Sequence, residues 1–229
     1  VTRLGIPIQK QIVHLAAAFL LGNPVRLQAT PADDKEKEMM TVINRTWEKN
    51  KLDYESKKLA KILMSETEVA ELWYRDTPDD AYWAGTANEK RPHRLRMKVL
   101  ANSLGDNLYP VFNNMGDMIA FGREYSIKVD GKDESHFDIY TDKITYLSTK
   151  TSSAWVTTEE TNWFGKIPVV YYSQKAPEWN DVQSLIDRFE KTLSNHSDTN
   201  DYFASPMVKV TGEVKGFATK GESGKVLEL

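Results

Sequence analysis

The sequence has no cysteine, which excludes a disulfide framework and any thiolate metal site and fits folding in an intracellular compartment. It shows no secretory signal peptide. Positive charge is not in excess either. Thirty Lys and Arg against 33 Asp and Glu give a formal net charge of -3, so a surface built to grip phosphates, which needs clustered cations, is not expected. Long apolar runs are missing as well. The most apolar stretch, "IVHLAAAFLLG", is about 11 residues with His14 inside it, short of the roughly 20 that span a bilayer. It is expected to form a buried helix. The chain opens at Val1 without a methionine and stops at "GKVLEL", which resembles the start of a strand, so a piece excised from a longer protein is expected.

Catalytic signatures are absent in the same way. No Gly-x-Ser-x-Gly elbow occurs, and the missing cysteine removes thiol nucleophiles. "KGESGKV" near the end lacks the first glycine of a phosphate loop and has Val226 where the magnesium-binding hydroxyl would stand. It is read as a flexible strand connection.

What is present is enough apolar material, 40% of 229 residues, for one sizeable core or two small ones. From Gln9, residues Ile12, Val13, Leu15, Ala16, Phe19 and Leu20 recur at helical spacing until "GNP" stops them. "VRLQA" reads as a short strand. A second helix is predicted over Asp34 to Asn50, with Met39, Val42, Ile43, Thr46 and Trp47 on one face, and a third over Asp53 to Met64 with Leu59, Ile62 and Leu63 as its core stripe. The period then changes to two. "VAELWYR", "RLRMKVL", the hairpin pattern "LYPVFNNMGDMIAFGREYSIKV", "HFDIYTDKITYLS", "AWVTTEE" and "IPVVYYS" predict a mostly antiparallel sheet. After "KAPEWND", the residues Val182, Leu185, Ile186, Phe189 and Leu193 form a helical stripe, but beyond Leu193 the sequence is "SNHSDTND". A single helix from Asp181 to about Phe203, roughly 34 Å long at ~1.5 Å per residue, would have little to bury in its second half.

Candidate sites yield little chemistry. His136 with Asp138, and His196 with Asp198 and Asp201, lack the spacing of a metal helix or a calcium loop and are read as solvated structural groups. His14 is expected to be partly buried. The acidic patches at 78 to 80 and at Asp130, Asp133 and Glu134 are read as solvated loops. Of the six tryptophans, Trp73, Trp83, Trp155, Trp163 and Trp179 could form a sugar-stacking platform, but most are expected to pack sheet faces and helix ends. No catalytic residue, metal or cofactor is assigned.

The order of motifs is more informative. "AAFLLGNPV" at 17 to 25, "GKIPVVYYSQ" at 165 to 174 and "LIDRFEKTLSNHSDTND" at 185 to 201, separated by a strand-rich segment, together resemble the portal proteins of tailed bacteriophages, in their SPP1-like branch. Phe189 and Glu190 stand where that family often has an aromatic followed by Asp.

The resemblance implies an α+β wing domain over residues 1–178, a stem helix over 179–203 and the beginning of a clip over 204–229. The remaining clip, a second stem helix, a tunnel loop and a crown complete the family pattern. It further implies a non-enzymatic subunit of a homo-oligomeric ring, typically dodecameric, at the capsid vertex. Its partners would be double-stranded DNA passing weakly through the channel, terminase, head-tail adaptor, capsid and scaffold proteins, with no membrane. ATP hydrolysis would belong to the terminase. Such a ring, from a phage or a prophage, would assemble in the bacterial host cytoplasm and reside in the virion. If the stem helix lines the channel, Lys191, Asn195 and Thr199, spaced i, i+4, i+8, are its candidate channel-facing positions, with Leu193 and His196 as further stem or inter-subunit positions. The alternatives are an aromatic-rich carbohydrate or surface-binding module and, third, a hydrolase using loop carboxylates.

Overall fold

The computed structural model describes residues 3–78, 82–86, 89, 91–152 and 154–204. The acidic pair at 79 and 80, "KGESGKV" and, from 205 onward, the 204–229 segment expected to begin a clip lie outside them. Among the described residues are helices α1 (Ile8–Leu21), α2 (Asp34–Lys49), α3 (Leu52–Glu66) and α4 (Gln183–Phe203). The strands are β1 (Glu68–Asp76), β2 (Arg94–Leu100), β3 (Asp106–Phe112), β4 (Met118–Val129), β5 (Lys132–Tyr140), β6 (Ile144–Lys150), β7 (Trp155–Thr161) and β8 (Val169–Ser173). The fold is α+β, as the sequence predicts. Two compact units are present: residues 7–181, and residues 3–6 together with the segment from Val182.

In the larger unit the antiparallel region is two sheets rather than one. β8 returns across about a hundred residues to flank β1, giving the order β2-β1-β8, while β3 to β7 form a five-stranded meander. The three-stranded sheet is buried on both sides, and its alternation shows how. Val69, Met97 and Val99 join Leu52 and Leu59 of α3, with Trp47, Ile62 and Leu63 beside them. Ala70, Leu72, Leu100 and Val169 instead meet Leu108, Phe121 and Tyr140 of the meander. Successive residues of one strand thus serve two different cores, which is what a two-residue period permits.

Asn50 fastens the helical layer to this sheet. Its amide donates to the Thr46 and Leu95 carbonyls at 2.9 Å each, and its side-chain oxygen accepts from Met97 N at 3.1 Å. Lys51, with φ 52°, then makes the left-handed step into α3.

The two sheets join where β2 leaves Leu100, passes a 3-10 turn at Asn102–Leu104 and enters β3 at Asp106. Asp106 is 2% exposed. Its carboxylate accepts from Arg123 Nε of β4 at 2.7 Å and lies 3.8 Å from Lys98 Nζ of β2, so one buried anion is shared by cations from both sheets. The Arg123 guanidinium also lies 3.8 Å from the Tyr125 ring centroid. Opposite Arg123 in register is Asp138, also buried, which accepts from the Tyr140 hydroxyl at 3.3 Å. Burial pushes the Asp138 carboxyl above its ordinary value, against the opposing effects of Tyr125, Arg123 and Tyr140.

Two hairpin ends extend past the packed layers. The β3–β4 turn is fixed by Asn113, whose side-chain oxygen accepts from both Met115 N and Asp117 N at 2.9 Å, with Gly116 at φ 90°. In the β4–β5 hairpin, β3 pairing ends at Tyr125 and β6 pairing ends at His136, so residues 126–135 pair only with one another.

Several sequence expectations are corrected. α1 is not a buried helix: only Val13 and Ala17 are buried, and Leu15, Phe19 and Leu20 are 61%, 83% and 65% exposed. Its neighbour in this unit is α3, and one narrow helix contact covers one stripe of a helix that is apolar on most sides. His14 is exposed rather than partly buried. "VRLQA" pairs with no strand, and Val25 N donates instead to Asp53 Oδ1 at 3.1 Å. On α2, Met39 and Ile43 are exposed while Val42, Thr46 and Trp47 are half-buried. Asp133 and Glu134 lie on β5 rather than in a loop, and Asp138 is not solvated.

Removing Asp106 while keeping Arg123 strands a buried cation. Asp106→Ala is therefore expected to cost about 3–5 kcal/mol in urea unfolding, and the paired change Asp106→Leu with Arg123→Met to recover most of that loss. A second expectation follows from Asp138. Its folded-state pKa is raised, so the native chain holds this proton more tightly than the unfolded chain, and stability falls as pH rises through the window. Asp138→Asn should flatten that fall above the ordinary carboxylate range, from about pH 4 upward, seen as a smaller change in denaturation midpoint with rising pH than in the unsubstituted protein.

Candidate assembly site on the C-terminal helix

A 3-10 turn at Asn180–Val182 leads into α4, which runs unbroken from Gln183 to Phe203. The expected continuity holds through Ser194. The expected stripe does not. Of its five residues, Ile186 is buried and Leu193 half-buried, whereas Val182, Leu185 and Phe189 are 37%, 68% and 51% exposed.

The helix presents three different faces. The first contains Ile186, Glu190, Leu193 and Ser194 and holds an extended strap formed by residues 3–6. Ser194 is 5% exposed; its hydroxyl oxygen accepts from Leu4 N at 3.0 Å and donates to the Glu190 carbonyl at 2.7 Å. Glu190 Oε1 accepts from Ile6 N at 3.1 Å. Two polar residues one turn apart thereby satisfy the backbone of a segment that makes no strand ladder. This is how Ser194, beyond the last residue of the apolar stripe, is buried without apolar neighbours of its own on the helix. Nothing in "EKTLS" reveals it, since i, i+4 polar pairs on a helix ordinarily face water.

The second face is an uncovered apolar line. Val182, Leu185, Phe189, His196 and Phe203 follow spacings of three, four and seven, and Phe203 is 69% exposed. The third face carries Lys191, Asn195 and Thr199, all exposed; the Thr199 hydroxyl donates to the Asn195 carbonyl at 2.8 Å. The five sequence candidates are therefore dispersed: three on the polar face, His196 on the exposed apolar line and Leu193 on the half-buried strap side.

Among the described residues no group of three or more His, Asp or Glu could hold an ion. His136 is occupied structurally, stacked on Tyr125 at 5.0 Å between centroids with Nε2 2.9 Å from the Glu134 carboxylate. Burial pushes the Tyr125 hydroxyl up to about 12. Tryptophans do gather in the larger unit. A groove of about 690 Å³ is lined by Trp47, Trp73, Trp83 and Trp163, with Arg75 and Arg94 among its cations. Trp155 and Trp163 are 46% and 71% exposed, so these rings are less fully packed than the sequence reading expects. No helix among the described residues is long and apolar enough to cross a membrane.

A Ser194→Val substitution removes the acceptor for Leu4 N while keeping α4. Expected results are faster amide exchange at Leu4 and Ile6, unchanged helical circular dichroism and a cost of about 1–3 kcal/mol for the orphaned donor.

Comparison with known proteins gives one match of family scale. The family described as phage portal protein, SPP1 Gp6-like, matches residues 2–228. A search of curated protein sequences found no match. The match covers nearly the whole chain, and the chain belongs to that phage portal protein family.

Proposed function

We propose that this chain serves as a wing-and-stem portion of a portal subunit, with residues 1–178 as wing, 179–203 as stem helix and 204–229 as the start of the clip. The family is structural rather than enzymatic. The observation that carries the assignment of the stem is the division of α4 into faces. A helix standing alone in water has no use for the exposed line of Val182, Leu185, Phe189 and Phe203. A helix in a ring does, because its neighbours cover that line while its polar face borders a water-filled channel.

In this reading Lys191, Asn195 and Thr199 face the channel, and the apolar line, with His196, faces the next subunit. Leu193 remains on the strap side. The ring is the conduit through which double-stranded DNA is packaged and ejected, and it docks terminase, head-tail adaptor, capsid and scaffold proteins at the portal vertex of the virion after assembly in the host cytoplasm. Contact with DNA is weak. Six to ten phosphate contacts characterise firm binding, and the two cations on the polar face, Arg188 and Lys191, of a chain with net charge -3 supply far fewer. A conduit benefits from that weakness, since strong phosphate contacts would hold the duplex in place.

Electron microscopy of the full-length protein should show rings with a central hole, and Phe189→Asp should abolish them while leaving the fold intact. Lys191→Ala should alter packaging more than ring assembly. The isolated chain should show little DNA binding in a fluorescence titration at about physiological salt; tight, sequence-dependent binding would overturn the portal reading. Phosphate release and DNA cleavage should both be absent with magnesium or manganese present. Turnover lost on substituting a single acidic residue would equally defeat this reading.

A further inference from the structure

The larger unit carries a second pair of uncovered features that α4 does not explain. One is a knob. At the β3–β4 turn, Met115 is 82% exposed, flanked by Phe112 at 49% and Ile119 at 53%. Asn113 holds the turn in one conformation through three short bonds: Oδ1 accepts from Met115 N and Asp117 N, and Asn113 N donates to the Asp117 carbonyl, each at 2.9 Å. A mobile loop could hide its methionine. This one displays it, with the Asp117 carboxylate two residues away and no cation in the turn sequence "NNMGD".

The other feature is a hole. The groove lined by Trp47, Trp73, Trp83 and Trp163 is of opposite charge to the knob. Arg75 lies 4.8 Å from the Trp163 ring centroid and has no carboxylate within ion-pair distance among the described residues. Arg94, also in the lining, is already paired with Asp76 at 2.9 Å. An apolar, aromatic floor beneath a guanidinium that no described carboxylate pairs suits a flexible thioether followed by an acid, since sulfur makes favourable contacts with ring edges.

A chain cannot fill its own hole with its own knob. Phe112, at the base of the knob, packs on Tyr171, whose register partner on β1 is Ala70. The groove is built around Trp73 and Arg75 of the same strand, about 10 and 16 Å further along at ~3.3 Å per residue. Tyr171 belongs to the core between the two sheets, whereas Trp73 belongs to the core beneath the helices. Knob and hole therefore lie toward opposite ends and on opposite faces of the three-stranded sheet.

We propose that the Met115 turn of one copy of this chain seats in the tryptophan groove of the next, with Asp117 against Arg75, as a head-to-tail contact between the larger units that is separate from the helix contact. Such a heterologous contact repeats around a closed ring. The proposal rests on the assembly reading above for its occupant, a second copy, but makes a different demand.

The test uses the full-length protein with two variants, Met115→Asp, which spoils the knob and leaves the groove, and Trp163→Ala, which spoils the groove and leaves the knob. Both positions are exposed, and retained circular dichroism and melting temperature would establish that the variants fold. By sedimentation velocity each variant alone should self-associate at least about tenfold more weakly than the unsubstituted protein, the loss expected for a central contact residue. Mixed, they supply one intact knob and one intact hole between them and should associate measurably more tightly than either variant alone. Association of each variant equal to that of the unsubstituted chain, or folded variants whose mixture gives no complex, would overturn the proposal. Rings of normal appearance from Met115→Asp would overturn it while leaving the portal reading standing, whereas absence of rings from the unsubstituted full-length protein would bring down the portal reading itself.

Discussion

The larger unit depends on one carboxylate. Asp106 opens β3 at the point where the chain has just left the three-stranded sheet, and it holds Arg123 of the meander within hydrogen-bonding distance and Lys98 of the other sheet close by. A buried ion pair is weak evidence for net stability, because desolvating both partners costs about what their attraction returns. Its effect here is selective. An arginine at 7% exposure tolerates only those arrangements of the two sheets that bring Asp106 beside it, so alternative packings of two apolar faces are penalised by an unpaired charge. Phe121, fully buried two residues before Arg123 on the same face of β4, contributes the non-directional part of the same junction. The apolar contact supplies attraction, and the charge sets the register.

The division of labour among layers follows from this. Because β1, β2 and β8 are covered on both faces, the helices need only one flank of that sheet and the meander needs only the other. The meander is left with an outer surface open to solvent, where Gly122 admits the close approach of Phe137 and Tyr109. A Cβ at Gly122 would lie 3.2 Å from each, so the glycine serves ring packing rather than an unusual backbone angle.

Periodicity made most elements legible. The change from spacings of three and four to spacings of two marks the transition from α3 into β1, and "LIDRF" announces α4. It reports which side of an element is apolar and carries no information on whether anything covers that side. Leu15, Phe19, Leu185 and Phe189 are apolar, correctly spaced and exposed, and no single-chain pattern could separate them from Val13 or Ile186. The split into two sheets was hidden for a related reason: it is made by the few residues between Leu100 and Asp106 and by the return of β8 to β1, a pairing of distant segments. Likewise the covering of Ser194 depends on residues 3–6, about 190 positions away in sequence. The family resemblance, carried by three short motifs in order, was legible where the individual site residues were not.

The hairpin segment 126–135 has a consequence of another kind. It is paired to itself alone, with Lys128 opposite Asp133 and Ile127 opposite Glu134, and it turns through Asp130 and Gly131, both at positive φ. No core residue lies beyond Tyr125 on β4 or before Asp138 on β5. Adding or removing two residues in each strand would preserve the alternation of faces and the pairing of all that lies inside. The length of this arm is therefore a free variable of the fold, one along which related chains can diverge in reach without renegotiating a single buried contact.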